Sequence, residues 1–252
     1  MRLEVLGCYG GEAPDRRMPS FLIDGHLLLE AGAVTEALPI RDQVKLEHVL
    51  VSHAHLDHVV GLAFLVDNVQ AAAARTGPVT TWSLAPVVDI LQAYCFNNHL
   101  WPDFTRLPPD SPALRFEKLP DGEAMHVGGL TIVPVTVHHT VPAAGFVITD
   151  GTSGFVFSGD TGPTTRLWET ACRTPAVRAV VVETAFPNRL ETLARASGHF
   201  TPKLLEREME KMPRVPVWVY HIKPTFYDET VDELSRLGPR VQILEQDQTY
   251  VF

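Results

Sequence analysis

The order in which the apolar spacing changes along the chain is what most restricts how it can fold. Short apolar runs at residues 3–6, 21–23 and 27–29 open the sequence, the last two split by Asp24-Gly25, a tight hairpin signal. A further run at 46–52 ends abruptly in a polar cluster. From 59 to 75 the chain is Ala-rich and unbroken, which predicts a helix stopped by Gly77-Pro78. A strand at 79–82, a helix at 85–94 and a proline-studded loop at 102–112 come next, then strands at 114–119, 130–137, 145–149 and 154–157. After Asp160 helix and strand alternate. Helices are expected at 165–172, 190–195, 203–211 and 230–237, and strands at 177–182, 217–220 and 241–244. Strand meanders with interspersed helices in each half predict two sheets packed together with helices outside. There is no internal repeat and no Gly/Ser linker, so one domain over 1–252 is the expectation.

Composition narrows the partners. Lys+Arg number 21 against 30 Asp+Glu, a net charge of −9, which is the wrong sign for a general binder of nucleic-acid backbone. A small anionic substrate is still compatible, because a bound cation can reverse the local field. The three cysteines, Cys8, Cys95 and Cys172, show no CxxC spacing and are expected to be small buried hydrophobes in a reducing compartment. No apolar stretch is long enough to span a membrane, and the first residues are too short and polar for a signal peptide. A cytoplasmic location with no membrane partner is expected.

The chemistry concentrates in Ser52-His53-Ala54-His55-Leu56-Asp57-His58, between a strand and a helix. His53 and His55, two apart at a strand end, can share one ion, while Asp57 and His58 on the turn into the helix can face a second. Neutral imidazole and carboxylate suit zinc, with manganese or iron as competitors. A dinuclear site needs further ligands, and three positions offer them at strand ends: His138-His139, Asp160 within Ser158-Gly159-Asp160-Thr161-Gly162, and His221. Asp160 could bridge two ions, which together would lower the pKa of a shared water to about 7. Taken singly, each of these positions also reads as a satisfied buried histidine or a turn-forming Asp. His26, His48, His99, His126 and His138 lack the context and read as structural or surface residues.

The set His53, His55, Asp57, His58, His139, Asp160 and His221 resembles that of the metallo-β-lactamase superfamily, which implies an α/β fold of the αββα four-layer sandwich type. His139-Thr140-Val141-Pro142 before Gly145-Phe146 resembles the third-histidine segment of its phosphodiesterase and tRNase Z branches. Four more segments are similar to class II cyclic-nucleotide phosphodiesterases: Phe96-Asn97-Asn98-His99-Leu100-Trp101-Pro102, Val182-Glu183-Thr184-Ala185-Phe186-Pro187-Asn188, Gly198-His199-Phe200-Thr201-Pro202 and His221-Ile222-Lys223-Pro224. Two departures stand out: Leu62-Ala63-Phe64-Leu65-Val66-Asp67 follows Gly61, and the early hairpin ends Glu30-Ala31-Gly32 where the superfamily commonly has Asp.

The resemblance implies two divalent cations, one on His53, His55 and His139 and one on Asp57, His58 and His221, with Asp160 bridging. It implies hydrolysis of 3′,5′-cyclic nucleotides by a hydroxide activated between the metals, with His199 and Asp57 as catalytic groups. His199 would touch the phosphate or protonate the leaving oxygen; the alternative is a helix-capping surface histidine. Asn97, Asn98 and Trp101 would line the nucleotide pocket with an indole face for the base; the alternative is a packed loop. Glu183 and Lys223 read as supporting residues. Competing readings are a lactonase, a thioesterase or a non-enzymatic nucleotide-binding module on the same fold. A tRNase Z-like nuclease also competes, but the 21 residues from His139 to Asp160 leave no room for its tRNA-clasping arm. Dimers are common among such relatives; no amphipathic seam demands a homodimer, and that partner stays open.

Overall fold

Two seven-stranded sheets stacked face to face form the centre of the molecule, with helices on the outside. The computed structural model describes residues 1–70, 72 and 77–252. In chain order the first half contains β1 (Arg2–Gly7), β2 (Ser20–Ile23), β3 (Leu27–Ala31), α1 (Val34–Ala37), α2 (Ile40–Gln43), β4 (His48–Leu50), α3 (Leu56–Val69), β5 (Val79–Leu84), α4 (Ala85–Ile90) and β6 (Leu114–Leu119). The second half contains β7 (Met125–Val127), β8 (Leu130–Thr136), β9 (Ala144–Thr149), β10 (Gly154–Phe157), α5 (Arg166–Cys172), β11 (Val177–Glu183), α6 (Glu191–Ser197), α7 (Pro202–Glu208), β12 (Val217–Tyr220), α8 (Tyr227–Ser235), β13 (Val241–Ile243) and β14 (Thr249–Val251). One sheet runs β14-β1-β2-β3-β4-β5-β6 and the other β13-β12-β11-β10-β9-β8-β7. This is the expected αββα sandwich.

The second sheet explains why its strands read as unbroken apolar runs. Along β11, Ala179 and Val181 face the neighbouring sheet while Val180 and Val182 face α5 and α7, so both faces are buried. The inter-sheet core is sealed by aromatics from both sides. Phe21 of β2 meets Phe157 of β10 edge-on at 5.6 Å and Tyr220 of β12 at 5.5 Å, and those two stack at 4.9 Å.

Strands β10, β11 and β12 are mutually parallel, and β8, antiparallel to β9 as β10 is, runs the same way. Their C-terminal ends therefore emerge along one edge of the sandwich. The end of β4 joins them there, because the Ala144 N–H at the start of β9 donates to the Ser52 carbonyl at 3.0 Å.

Several boundaries differ from the sequence reading. The helix expected at 59–75 starts at Leu56 and ends at Val69, so Asp57 and His58 lie in its first turn, where a carboxylate suits the helix dipole; residues 71 and 73–76 of that expectation lie outside the described residues. The helix expected at 85–94 begins as α4 and then widens into a π turn over Leu91–Cys95. Of the three cysteines only Cys8 is buried, with Cys95 half-buried and Cys172 exposed. Two of the four edge strands, β7 and β14, and the four-residue helices α1 and α2 carry too little pattern to be read locally. β14 forms only by pairing with β1, Arg2 opposite Val251, across the whole length of the chain. No described helix is long and apolar enough to cross a membrane.

Phe21 is fully buried in the inter-sheet cluster, so Phe21→Ala is expected to cost about 3–5 kcal/mol. Denaturant unfolding monitored by circular dichroism checks this; a loss under about 1 kcal/mol would mean that the sheets do not meet through this ring.

Candidate metal centre

Five chain segments converge where the strand ends emerge. The loop after β4 brings His53 and His55, the first turn of α3 brings Asp57 and His58, and the ends of β8, β10 and β12 bring His139, Asp160 and His221. Local backbone geometry forces this convergence. Gly159, at φ +59°, turns the chain so tightly after β10 that a Cβ would lie 2.4 Å from the Ala144 carbonyl. His221 itself adopts φ +66°, a costly conformation for a residue with a side chain, and its N–H is fixed by the Cys8 carbonyl at 2.7 Å.

The ring nitrogens and carboxylates form two overlapping groups. His53, His55 and His139 place their donor atoms within 4.8 Å of one another, with His55 Nδ1 at 3.0 Å from His53 Nε2 and 3.2 Å from His139 Nε2. Asp57, His58 and His221 form the second group, with Asp57 Oδ2 at 3.3 Å from His221 Nε2 and 3.9 Å from His58 Nε2. Asp160 lies between them. Its Oδ2 is 3.7 Å from His53 Nε2, 3.4 Å from His58 Nε2 and 3.2 Å from His221 Nε2.

A further ring of contacts orients these groups. Nδ1 of His139 faces the Gly198 carbonyl at 3.0 Å, which has no proton to give. That nitrogen must carry the ring proton, so Nε2 presents its lone pair to the cluster. Gly198, at φ +66°, is pressed so close that a Cβ would come within 2.9 Å of the His139 Cα. Glu30 is fully buried; its Oε1 accepts the Ser52 N–H at 3.0 Å and its Oε2 lies 3.2 Å from His58 Nδ1. In the sequence Glu30 stands out only as a departure from the Asp common in the superfamily. The available signal was a single carboxylate within an apolar strand, which burial would make costly without a partner. It also adopts φ +59°. Glu183, at the end of β11, accepts N–H groups from Thr161 and Phe200 on Oε1, both at 3.2 Å, and the same oxygen lies 3.0 Å from His199 Nδ1. With two donors already on that oxygen, the facing nitrogen is the third, which holds His199 as the Nδ1–H tautomer.

Charge and burial oppose each other here. Burial holds His53 and His55 below the ordinary imidazole value and His139 down to about 4, so these rings are neutral at pH 7. His199 is lowered too, by burial first and then by the Lys223 ammonium, against the opposing Asp160 carboxylate. His58 goes the other way: burial disfavours its charge, but Asp160 and Glu30 outweigh burial and raise it well above the ordinary value. Burial works against ionisation of Asp160 and of Asp57 as well, yet the surrounding imidazoles hold both carboxyls below the usual range. Glu183 is raised well above it, by burial and by Asp160.

The arrangement fits divalent cations. Asp160 Oδ1 and His58 Nε2 are buried without a hydrogen-bond partner, a cost that a positive charge between them would remove. Neutral imidazoles with ionised carboxylates are a donor set for zinc, manganese or iron. His53, His55 and His139 would hold one cation and Asp57, His58 and His221 another, with Asp160 in reach of both.

The remaining residues singled out from sequence are placed differently. His26, His99, His126 and His138 are exposed and His48 is half-buried, all outside the cluster. The side chain of Asn97 is engaged within its own loop, donating to Ala93 O and accepting from the N–H groups of His99 and Leu100, each at 2.9 Å. Asn98 Oδ1 accepts the Asp103 N–H at 2.9 Å. Trp101 donates its indole N–H to Ala63 O on α3 at 3.1 Å and meets Phe64 edge-on. The segment is thus a loop packed on the helix that carries Asp57 and His58.

Known proteins frame this geometry. The family description "Beta-lactamase superfamily domain" matches residues 21–222. A protein of Yersinia pestis named "Probable 3′,5′-cyclic-nucleotide phosphodiesterase" is 26% identical over 203 residues, which is 70% of this chain and 57% of that relative's length. Among solved structures, unliganded yeast PDE1 superposes with a TM-score of 0.83 at 17% identity, over 98% of each chain. The metallo-β-lactamase fold protein YhfI from Bacillus subtilis gives 0.80 at 18% identity over 99% of each.

Protons and cations compete for the same lone pairs, and a depressed pKa moves that competition to lower pH. Because His139 is held near 4 whereas Asp160 and Glu30 raise His58 well above the ordinary value, a cation on His53, His55 and His139 is expected to outlast one on Asp57, His58 and His221 as pH falls, with metal content dropping in two steps, the last as pH approaches 4. Elemental analysis after dialysis at stepped pH checks it; loss of all metal in a single step near the ordinary imidazole pKa of about 6.5 would show that these rings behave as exposed imidazoles.

Proposed function

The chain belongs to the beta-lactamase superfamily and has the metallo-β-lactamase hydrolase fold, and on that premise we propose that it is a metal-dependent phosphodiesterase acting on 3′,5′-cyclic nucleotides. The observation that carries the reading is the position of His199. Its ring stacks on His221 at 5.4 Å and meets His139 edge-on at 5.0 Å, so it touches both ligand groups while its own Nδ1 is tied to Glu183. The name of the Yersinia relative and the fold of the yeast enzyme support it further.

Cleavage of a cyclic phosphodiester requires a nucleophilic oxygen, neutralisation of two non-bridging oxygens and a proton for the departing 3′ oxygen. Bound divalent cations supply the first two by lowering the pKa of water and attracting anionic oxygen. The protein's own residues supply orientation and a path for the proton. Glu183 fixes the neutral His199 ring with its proton on Nδ1, so Nε2 is the nitrogen that would take up the proton lost by the attacking water and pass it to the departing 3′ oxygen. Gly198 turns the same loop, so the carbonyl that orients His139 and the ring that handles the proton are on adjacent residues. Asp57 and His221 hold one side of the cleft through their 3.3 Å contact. Between His139 and Asp160 the chain is taken up by the β9–β10 hairpin, which argues against an inserted RNA-clasping arm and favours a small substrate.

His199→Ala is expected to lower kcat on cyclic AMP about a hundredfold or more while metal content is unchanged, read by nucleotide chromatography and elemental analysis. Side-by-side turnover of cyclic AMP, cyclic GMP, a 2′,3′-cyclic nucleotide, a bis-aryl phosphate and a lactone tests the substrate class. Faster turnover of the lactone than of every phosphodiester would overturn the reading.

A further inference from the structure

Lys223 lies two residues beyond His221, where the chain enters the short turn Pro224–Phe226. Its backbone N–H donates to the Ala185 carbonyl at 3.2 Å, which fixes where its side chain begins. Its Nζ donates to the Gly10 carbonyl at 2.9 Å and lies 5.6 Å from the centre of the Phe186 ring. Both neighbours touch a histidine of the site. Gly10 is packed so closely on His221 that a Cβ there would come within 2.8 Å of the ring Nδ1. Phe186 rests edge-on against His199 at 5.7 Å. The ammonium is therefore lodged between the segment that backs His221 and the ring that backs His199.

Its hydrogen bonding is incomplete. An ammonium carries three donors, and one is used on the Gly10 carbonyl. Among the described residues no carboxylate comes within the 4.0 Å of an ion pair with it, although the chain carries 30 acidic residues. The cleft beside it already holds Asp57, Asp160 and Glu183, yet none of them reaches it. Positive charge held in place with donors to spare, next to a proton-handling histidine, is suited to an incoming anion rather than to a protein partner.

We propose that Lys223 is the anion-binding residue of the cleft, its ammonium donating to a non-bridging oxygen of a phosphate group. It acts alongside the cations rather than through them, which would bias the site toward anionic phosphate esters over neutral carboxylic esters. The choice of a phosphodiester as substrate rests on the function proposed above; the phosphate contact itself does not, and it can be tested separately.

The probe is inorganic phosphate, titrated by calorimetry into metal-loaded protein, with imidazole as a neutral ligand directed at the metals. Lys223→Met keeps the aliphatic stem and removes the charge, whereas Lys223→Arg keeps the charge. Lys223→Met is expected to weaken phosphate at least tenfold, Lys223→Arg by no more than about threefold, and neither to change imidazole affinity or metal content. Phosphate affinity unchanged in Lys223→Met would overturn the proposal. So would equal weakening of phosphate and imidazole in both variants with loss of metal, because Lys223 would then be a strut between two loops. If the wild-type chain turns over only lactones or thioesters while Lys223→Met still loses phosphate, the phosphodiesterase reading fails and this contact stands.

Discussion

A carboxylate that is almost fully buried must find positive charge or neutralise itself, and Asp160 is 1% exposed with three imidazole nitrogens within 3.7 Å of one of its oxygens. Much of the architecture follows from that requirement. The imidazoles come from His53 and His58 after β4 and from His221 after β12, segments far apart in the chain, so the strands that deliver them must end at the same edge of the sandwich. Parallel pairing of β10, β11 and β12 achieves this within one sheet. The link from Ser52 to Ala144 brings the other sheet to the same place.

The cluster also depends on what surrounds it. Glu30, Glu183 and the Gly198 carbonyl each take the outward-facing nitrogen of a ring, on His58, His199 and His139 respectively. Together they decide which nitrogen of each ring looks inward. Two of the non-glycine residues in left-handed backbone conformations, Glu30 and His221, belong to this assembly. Such strain persists only where surrounding contacts over-determine it, and here the Ser52 and Cys8 backbone groups supply those contacts. Two flanking segments differ. The Asn97–Trp101 loop uses its polar groups on itself and on α3, whereas Lys223 keeps donors in reserve beside Phe186 and Gly10.

The strands at 114–119, 154–157 and 217–220 coincide with β6, β10 and β12 residue for residue; the last two are continuous apolar runs that carry their own signal, and β6 opens on the alternation Leu114-Arg115-Phe116-Glu117. The donor residues were legible for a related reason: chemistry-bearing side chains at strand ends stand out against apolar neighbours. The start of α3 was misread by three residues because Asp57 and His58 look like loop, although they occupy a first helical turn. β14 could not be read at all, since its three residues become a strand only when β1 lies beside them.

By itself, then, the sequence determined the layering and the identity of the atoms available for binding, since both are properties of spacing and residue type along a few neighbouring positions. Only the tertiary structure decided that Glu30 supports His58, that Glu183 sets the tautomer of His199 and that the Lys223 ammonium rests on the Gly10 carbonyl. Those are statements about distance between segments from 16 to more than 200 residues apart, and no local pattern encodes them. They become definite when the two sheets close on Phe21, Phe157 and Tyr220 and their common edge draws the strand ends together.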